Sequence, residues 1–223
     1  MVKIWGRKSS SNTAKVLWCM AEIKLEYKLV NTGGSFGGNK EEPYASLNPN
    51  GRVPTVKDGN LVLWESNAIV RYLSAKYGDD HFFPNDIEIR ADADRWMDWA
   101  TTIIQPGTSR MFHSTKTPAD EWSSATFIDL NPEQIRATAD GMIKNWLILN
   151  NALKEHAFIA SDKLTIGDLP IGMQTHRWYL NDWFSLASDR TPLPYLDSWY
   201  ARLCDRPEFS QIMASIPQSY KPQ

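Results

Sequence analysis

The chain has 223 residues, 42% of them hydrophobic and 22% charged, a composition that fits an ordinary soluble protein and speaks against a disordered, collagenous or membrane-spanning class. Its 24 basic and 26 acidic side chains give a net charge of −2, and no Lys/Arg-rich run supplies an electrostatic footprint for nucleic acid or an anionic membrane, so neither partner is expected. The longest apolar run, Val16 to Ala21, is far short of the roughly 20 residues that span a bilayer, and the first residues lack the regions of a signal peptide, so a cytoplasmic location is expected.

In chain order, Val2, Ile4 and Trp5 predict a short strand that runs into the polar stretch Gly6 to Asn12. From Thr13 to Lys24 the apolar residues Val16, Leu17, Met20, Ala21 and Ile23 recur at helical spacing, with Asn12 placed to cap them. Glu26 to Val30 predicts a second strand and Gly33 to Gly38 a loop. Asn50-Gly51 is a turn signal, and Asp58-Gly59 between Val53–Lys57 and Asn60–Trp64 predicts a β-hairpin. A helix over Asn67 to Tyr77 follows, stopped by Gly78. These 78 residues read as a mixed α/β unit too small to bury all its faces alone.

Residues 79–86 read as a linker, and 87–223 as an all-helical unit. Its predicted helices run from Ile87 to Ile104, ending before Pro106; from Pro132, behind Asn131, to about Glu155; from Ile166 to about Phe184; from Pro194 to about Leu203; and shortly after Pro207. Ser114 to Leu130 follows no period and is expected to be a loop. Thr165-Ile166-Gly167-Asp168, between Leu164 and Leu169, reads as a structural capping box with a hydrophobic staple. Only two cysteines occur, Cys19 and Cys204, each in an apolar stretch; a disulfide framework is excluded and buried thiols are expected.

Several common machines are absent. There is no G-x-G-x-x-G, and Gly33 to Lys40 misses a P-loop because Asn39 follows Gly38 where lysine is needed. The histidines His81, His113, His156 and His176 are too dispersed for a metal cluster, so no metal is expected. Ser9 to Ser11 lack a G-x-S-x-G elbow.

The segments Trp5-Gly6-Arg7-Lys8-Ser9-Ser10-Ser11-Asn12, Asn48-Pro49-Asn50-Gly51-Arg52-Val53-Pro54-Thr55-Val56 and Trp64-Glu65-Ser66-Asn67-Ala68-Ile69 resemble the amino-terminal domain of cytosolic glutathione S-transferases, particularly bacterial theta-like and nu-like members. The Thr165–Asp168 box is similar to one in the family's helical domain. The resemblance implies a thioredoxin-like α/β domain with a mixed four-stranded sheet (1–78), a linker (79–86) and an all-α domain with a second-substrate site (87–223). It implies glutathione as co-substrate, no further cofactor, a homodimer, and a small hydrophobic electrophile or a disulfide as the other reactant.

Residue by residue, the resemblance places a cis proline at Pro54 and turns the backbone of Val53 toward the cysteinyl part of glutathione. Ser66 and Asn67, at a helix start, would take the γ-glutamyl carboxylate, and Glu65 its α-ammonium. Lys40 and Arg52 would take the glycyl carboxylate. Ser10 matches a catalytic serine of theta-like members and Asn12 an asparagine of nu-like ones; read locally, the same residues are a cap and a solvated turn. Met111, Phe112 and Trp178 are implied for the second-substrate pocket, and Asp98 for reaching a partner subunit's glutathione. Two other functions stay open: a nu-like glutathione-dependent disulfide reductase, and a non-catalytic binding or regulatory module on the same fold.

Overall fold

Val2, Ile4 and Trp5 are buried along β1 (Val2–Gly6), the strand that the rest of the sheet is built around. β1 pairs in parallel with β2 (Tyr27–Asn31) and antiparallel with β3 (Thr55–Asp58), which returns as β4 (Leu61–Trp64). The order is β2-β1-β3-β4, a mixed four-stranded sheet. A parallel pair needs a crossover, and α1 (Ser11–Glu22) supplies it. In this computed structural model, which describes residues 1–80, 82–115 and 128–218, the sheet and its helices form a thioredoxin-like amino-terminal region followed by a helical one. His81 and residues 116–127, most of the expected loop, lie outside the described residues.

Several local expectations shift. α1 is capped by Ser10, whose backbone is extended (φ −86°, ψ 123°) and whose Oγ lies 3.5 Å from Thr13 N; Asn12 sits inside the first turn instead. β3 starts at Thr55, not Val53, since Pro54 has no N–H to donate to a ladder. One helical turn, α2 (Tyr44–Leu47), is too short to leave a period; the Tyr44 hydroxyl anchors it to Arg52 O and Thr55 Oγ1. α3 (Ser66–Tyr77) ends at Gly78 without a left-handed cap, since Gly78 has φ −79°. Glycine is needed there because a Cβ would fall 2.5 Å from Ser74 O.

The expected stop before Pro106 does not occur. α4 (Ile87–Trp99) passes through a π-helical turn, Ala100–Ile104, into α5 (Gln105–Thr115), so Pro106 falls in the first turn of a new helical segment, where a missing N–H is tolerated. Ser114, expected in a loop, is the penultimate residue of that helix. α6 (Pro132–Ala152) is capped as predicted by Asn131, in a reciprocal box with Gln134. α7 (Asp168–Leu180), a 3-10 turn (Trp183–Leu186), α8 (Pro194–Cys204) and α9 (Pro207–Met213) complete the helical region. Cys19 is buried against Ser74, whereas Cys204 is exposed, contrary to expectation, because its face of α8 meets solvent.

α1 joins the two regions. It packs on α3 to one side and on α7 and α9 to the other. Trp18 is fully buried, its ring 4.7 Å edge-on from Phe209, and its indole donates to Glu22 Oε1 at 2.7 Å. Glu22 in turn pairs with Arg206 at 2.5 Å.

The Thr165–Asp168 box is a network deeper than a cap. Asp168 is fully buried; Oδ2 accepts from Thr165 N (2.9 Å) and Thr165 Oγ1 (3.2 Å), Oδ1 from Ile159 N (2.9 Å) and Trp199 Nε1 (2.9 Å). Burial pushes the carboxyl up from 3.8 to about 6, against the pull of those donors. The folded state therefore holds a proton that the unfolded chain has released, so this group's contribution is fully present below pH 3.8 and is lost as pH rises through about 6. Asp168→Asn, which does not titrate, should show it: between pH 4 and 6 wild-type stability should decline relative to the variant in urea unfolding. A parallel pair of curves would contradict the shift.

Candidate functional site

The loop between β1 and α1 is fixed by close approach. A Cβ on Gly6 would lie 2.5 Å from Thr13 Oγ1, so only glycine lets the strand pass this near the helix start. Ser10 and Asn12 consequently stand at the open N-terminus of α1, where first-turn N–H groups lack intrahelical acceptors. A second helix N-terminus, that of α3, faces the same region. Glu65 precedes it with φ +71°, a left-handed value costly for a side-chain-bearing residue, and Ser66 is its first residue. Ser66 Oγ donates to Asn12 Oδ1 at 3.4 Å, linking the two helix starts and leaving the Asn12 amide N–H2 as a donor.

Two cavities meet between these ends. One, of about 560 Å³, is lined by Arg7, Ser10, Asn12, Lys40, Arg52, Val53, Gln105, Phe112 and Arg177 among others. The other, of about 570 Å³, is lined by Asn12, Arg52, Val53, Pro54, Glu65, Ser66, Asn67, Arg71 and Asp98 among others. Asn12, Asn50, Arg52, Val53 and Gln105 belong to both, so the cavities form one cleft between the loops at one end of the sheet and α4–α5. The Val53–Pro54 peptide is cis.

Ser10, Asn12, Lys40, Arg52, Val53, Pro54, Glu65, Ser66, Asn67, Asp98 and Phe112 thus all line the cleft. Met111 and Trp178 do not. Met111 is 0% exposed, and Trp178, at 1%, packs between Trp146 (5.7 Å) and Trp183 (6.1 Å); both face the helical core because helical period reports a buried face without saying what covers it. The groups standing there instead are Gln105, Ser109, His113, Gln174 and Arg177.

Two other side chains are otherwise engaged. The Asn67 amide accepts from Lys15 and donates to Met97 O (2.9 Å) and Thr101 Oγ1 (3.0 Å), tying α3 to α4 and leaving only its backbone N–H for a ligand. Lys15 is buried behind it, pushed down to about 7 by desolvation, with Glu65 opposing and Arg71 adding to the shift. Asp98 receives Arg71 at 2.7 Å, and Arg71 also holds Asp94 at 2.6 Å. Arg95 pairs with Asp92. Asp92, Asp94, Arg95 and Asp98 of α4 are therefore answered within the chain.

Cys19 is no candidate nucleophile: burial pushes its thiol up to about 12, and it lines neither cavity. Asn39 closes the Asn50-Gly51 turn through Nδ2 to Gly51 O at 2.6 Å. Arg7 and Arg177 are not legible as site residues in the sequence, because lone cations leave no pattern and α7 carries several other polar residues. Burial lowers both guanidinium pKa values, that of Arg177 to about 10, with Arg7 adding repulsion.

Residues 1–75 match the family model described as glutathione S-transferase, N-terminal domain. Over 222 residues the chain is 33% identical to glutathione S-transferase GstB of Escherichia coli (strain K12), covering 98% of this chain and 100% of that protein. It is similar to the theta class glutathione S-transferase of Xanthomonas axonopodis pv. citri, solved with glutathione bound, at 36% identity and TM-score 0.76, covering 95% of this chain and 96% of that one. Glutathione transferase F7 of Populus trichocarpa shares the fold at TM-score 0.82 and 21% identity, covering 97% of this chain and 100% of that one. With a relative one-third identical along its whole length and a solved structure of the same fold at 36% identity, the chain belongs to the glutathione S-transferase family.

Proposed function

We propose that this protein holds glutathione as its thiolate in the cleft and directs it at a small electrophile. The observation that carries this reading is the convergence of two helix N-termini on one cleft, one offering Ser10 and Asn12 and the other Glu65 and Ser66. Ser66 and the first N–H groups of α3 receive the γ-glutamyl carboxylate, and Glu65 the α-ammonium. Val53 pairs its backbone with the cysteinyl part, and Lys40 and Arg52 take the glycyl carboxylate. Ser10 already accepts from its own helix, which leaves its proton to donate to sulfur, beside the Asn12 amide.

The energy required is modest. Moving a thiol from its usual 8.5 by two units takes about 2.7 kcal/mol. A hydrogen bond to a charged group supplies about 1.5–3 kcal/mol, and a helix N-terminus about 0.3–1. Two donors and the start of α1 are sufficient. The reacting pair meets near Gln105 and Phe112, on the face of the cleft toward the helical region. Assembly as a homodimer in the cytoplasm belongs to this reading.

Steady-state turnover of glutathione with an aryl halide and, separately, with a small disulfide tests it. Conjugation is expected. Turnover of the disulfide alone would favour the reductase, which shares the thiolate and needs no protein cysteine. Absence of both, with no thiolate absorbance on glutathione binding, would favour a binding module.

Glu65 gives a sharper check. Its positive φ costs on the order of 1 kcal/mol that glycine would not incur. Glu65→Gly should therefore raise the unfolding free energy by about 1 kcal/mol yet weaken glutathione binding about tenfold, without moving the bound thiol's pKa. A large rise in that pKa would show the carboxylate to be misplaced at the ammonium end.

A further inference from the structure

Arg177 is 9% exposed, yet among the described residues no acceptor faces its Nε and no ion pair includes it. A buried guanidinium normally comes with a carboxylate, because an unpaired charge in a poorly solvated place is costly. What Arg177 has instead is the Phe112 ring, 4.1 Å from its central carbon. Such a contact covers the guanidinium with π density and leaves donors on it for something else. Arg7, on the same cavity wall, raises the local positive potential further.

The position of Arg177 matters as much as its charge. It lines the part of the cleft that holds Phe112, Gln105 and Gln174, and not the part that holds Glu65 and Ser66. Gln174 is 5% exposed and is held by the Thr108 hydroxyl at 2.6 Å, so the wall around Arg177 is itself fixed. Ser10 and Asn12 stand on the same cavity, between this wall and the rest of the glutathione site. An anion on Arg177 would thus be held on the side from which a second reactant approaches the sulfur.

We propose that the second substrate is an electrophile bearing a carboxylate, which Arg177 binds while an apolar part rests near Phe112. The planar guanidinium matches a carboxylate in two parallel hydrogen bonds, which fixes orientation as well as affinity. The inference rests on the transferase reading above and names its substrate class. In the step itself the thiolate sulfur forms a bond to the electrophilic carbon, the carbon–halogen bond breaks, and halide departs with that bonding pair; the carboxylate is unchanged.

The test compares 4-(chloromethyl)benzoate with 4-methylbenzyl chloride, which present the same benzylic carbon with and without the anion. Wild-type kcat/KM should favour the carboxylate by at least about tenfold, and Arg177→Met should bring that ratio close to one. Being a ratio within each protein, it is insensitive to a general loss of active enzyme. Arg177→Lys should keep part of the preference. A wild-type ratio near one, or a ratio that survives in Arg177→Met, overturns the proposal. So does a variant whose glutathione affinity falls while the ratio stands, since Arg177 would then serve glutathione. Calorimetric titration of the unreactive 4-methylbenzoate separates this inference from the reading beneath it. Binding to the wild type about tenfold tighter than to Arg177→Met supports the anion site even if neither chloride is turned over, an outcome that sinks only the transferase reading. Equal binding overturns the anion site.

Discussion

Asn12→Ala should lower kcat about a hundredfold while changing the glutathione dissociation constant by no more than about threefold. The asymmetry follows from position. Asn12 stands in the first turn of α1 with its carbonyl oxygen 3.4 Å from Ser66 Oγ, so its amide N–H2 is aimed by a neighbour and not left to rotate. In the proposed binding mode such a donor acts on charge at sulfur, and the carboxylate and ammonium groups of glutathione lie elsewhere in the cleft. Stopped-flow measurement of the bound thiol's pKa should show it rising toward the free value in the variant. A change confined to glutathione affinity, with kcat intact, would place Asn12 among the anchoring groups. Ser66→Ala should then do both things at once, because its hydroxyl steadies Asn12 and is proposed to serve the γ-glutamyl carboxylate.

The largest loss of stability should follow from Asp168→Ala. That substitution leaves Thr165 N, Ile159 N and Trp199 Nε1 without their acceptor in a site with no solvent access. Each orphaned donor costs about 1–3 kcal/mol, so a total of at least about 3 kcal/mol and a fall in Tm of roughly 10 °C are expected. Since Asp168 ties the Ile159 and Thr165 backbones to α8, the loss should be accompanied by faster amide exchange at those residues. Should the alanine protein fail to accumulate, Asp168→Asn retains one acceptor oxygen and should lie between it and the wild type. Equal stability of all three would mean the network contributes nothing.

The same network illustrates what the sequence made legible. Thr165 and Asp168 three residues apart, with leucines on either side, mark a helix start on local grounds alone. That Asp168 also receives Trp199 and Ile159 is a tertiary fact with no local trace. Ser10 and Asn12 make the complementary case. Four successive residues, Ser9 to Asn12, are all competent caps, so spacing could not choose among them, and the choice falls to where β1 releases the chain. Pro106 misled for a related reason: a proline ends a helix only if the chain cannot re-register, and the π-helical turn at Ala100–Ile104 provides that re-registration. The glycine-, asparagine- and proline-rich motifs around Val53 and Glu65 were informative because they encode backbone geometry. The wall opposite them was not, since Met111, Phe112 and Trp178 look alike in a helical period and only Phe112 reaches the cleft.

The double duty of α1 limits how such a protein can be recombined. Its N-terminal end carries Ser10 and Asn12, while six to twelve residues further on the same rigid rod presents Trp18 to Phe209 of the carboxy-terminal helices and Glu22 to Arg206. A chimera that kept residues 1–78 and borrowed a helical region from a relative, so as to acquire a new specificity wall, would meet that borrowed region through Trp18. Any tilt of α1 needed to seat it would be passed along the rod to Ser10 and Asn12, the residues proposed to hold sulfur. The exchangeable piece is therefore not the helical region alone but that region together with the face of α1 against it; specificity in this architecture travels with a helix that belongs, by chain order, to the other half.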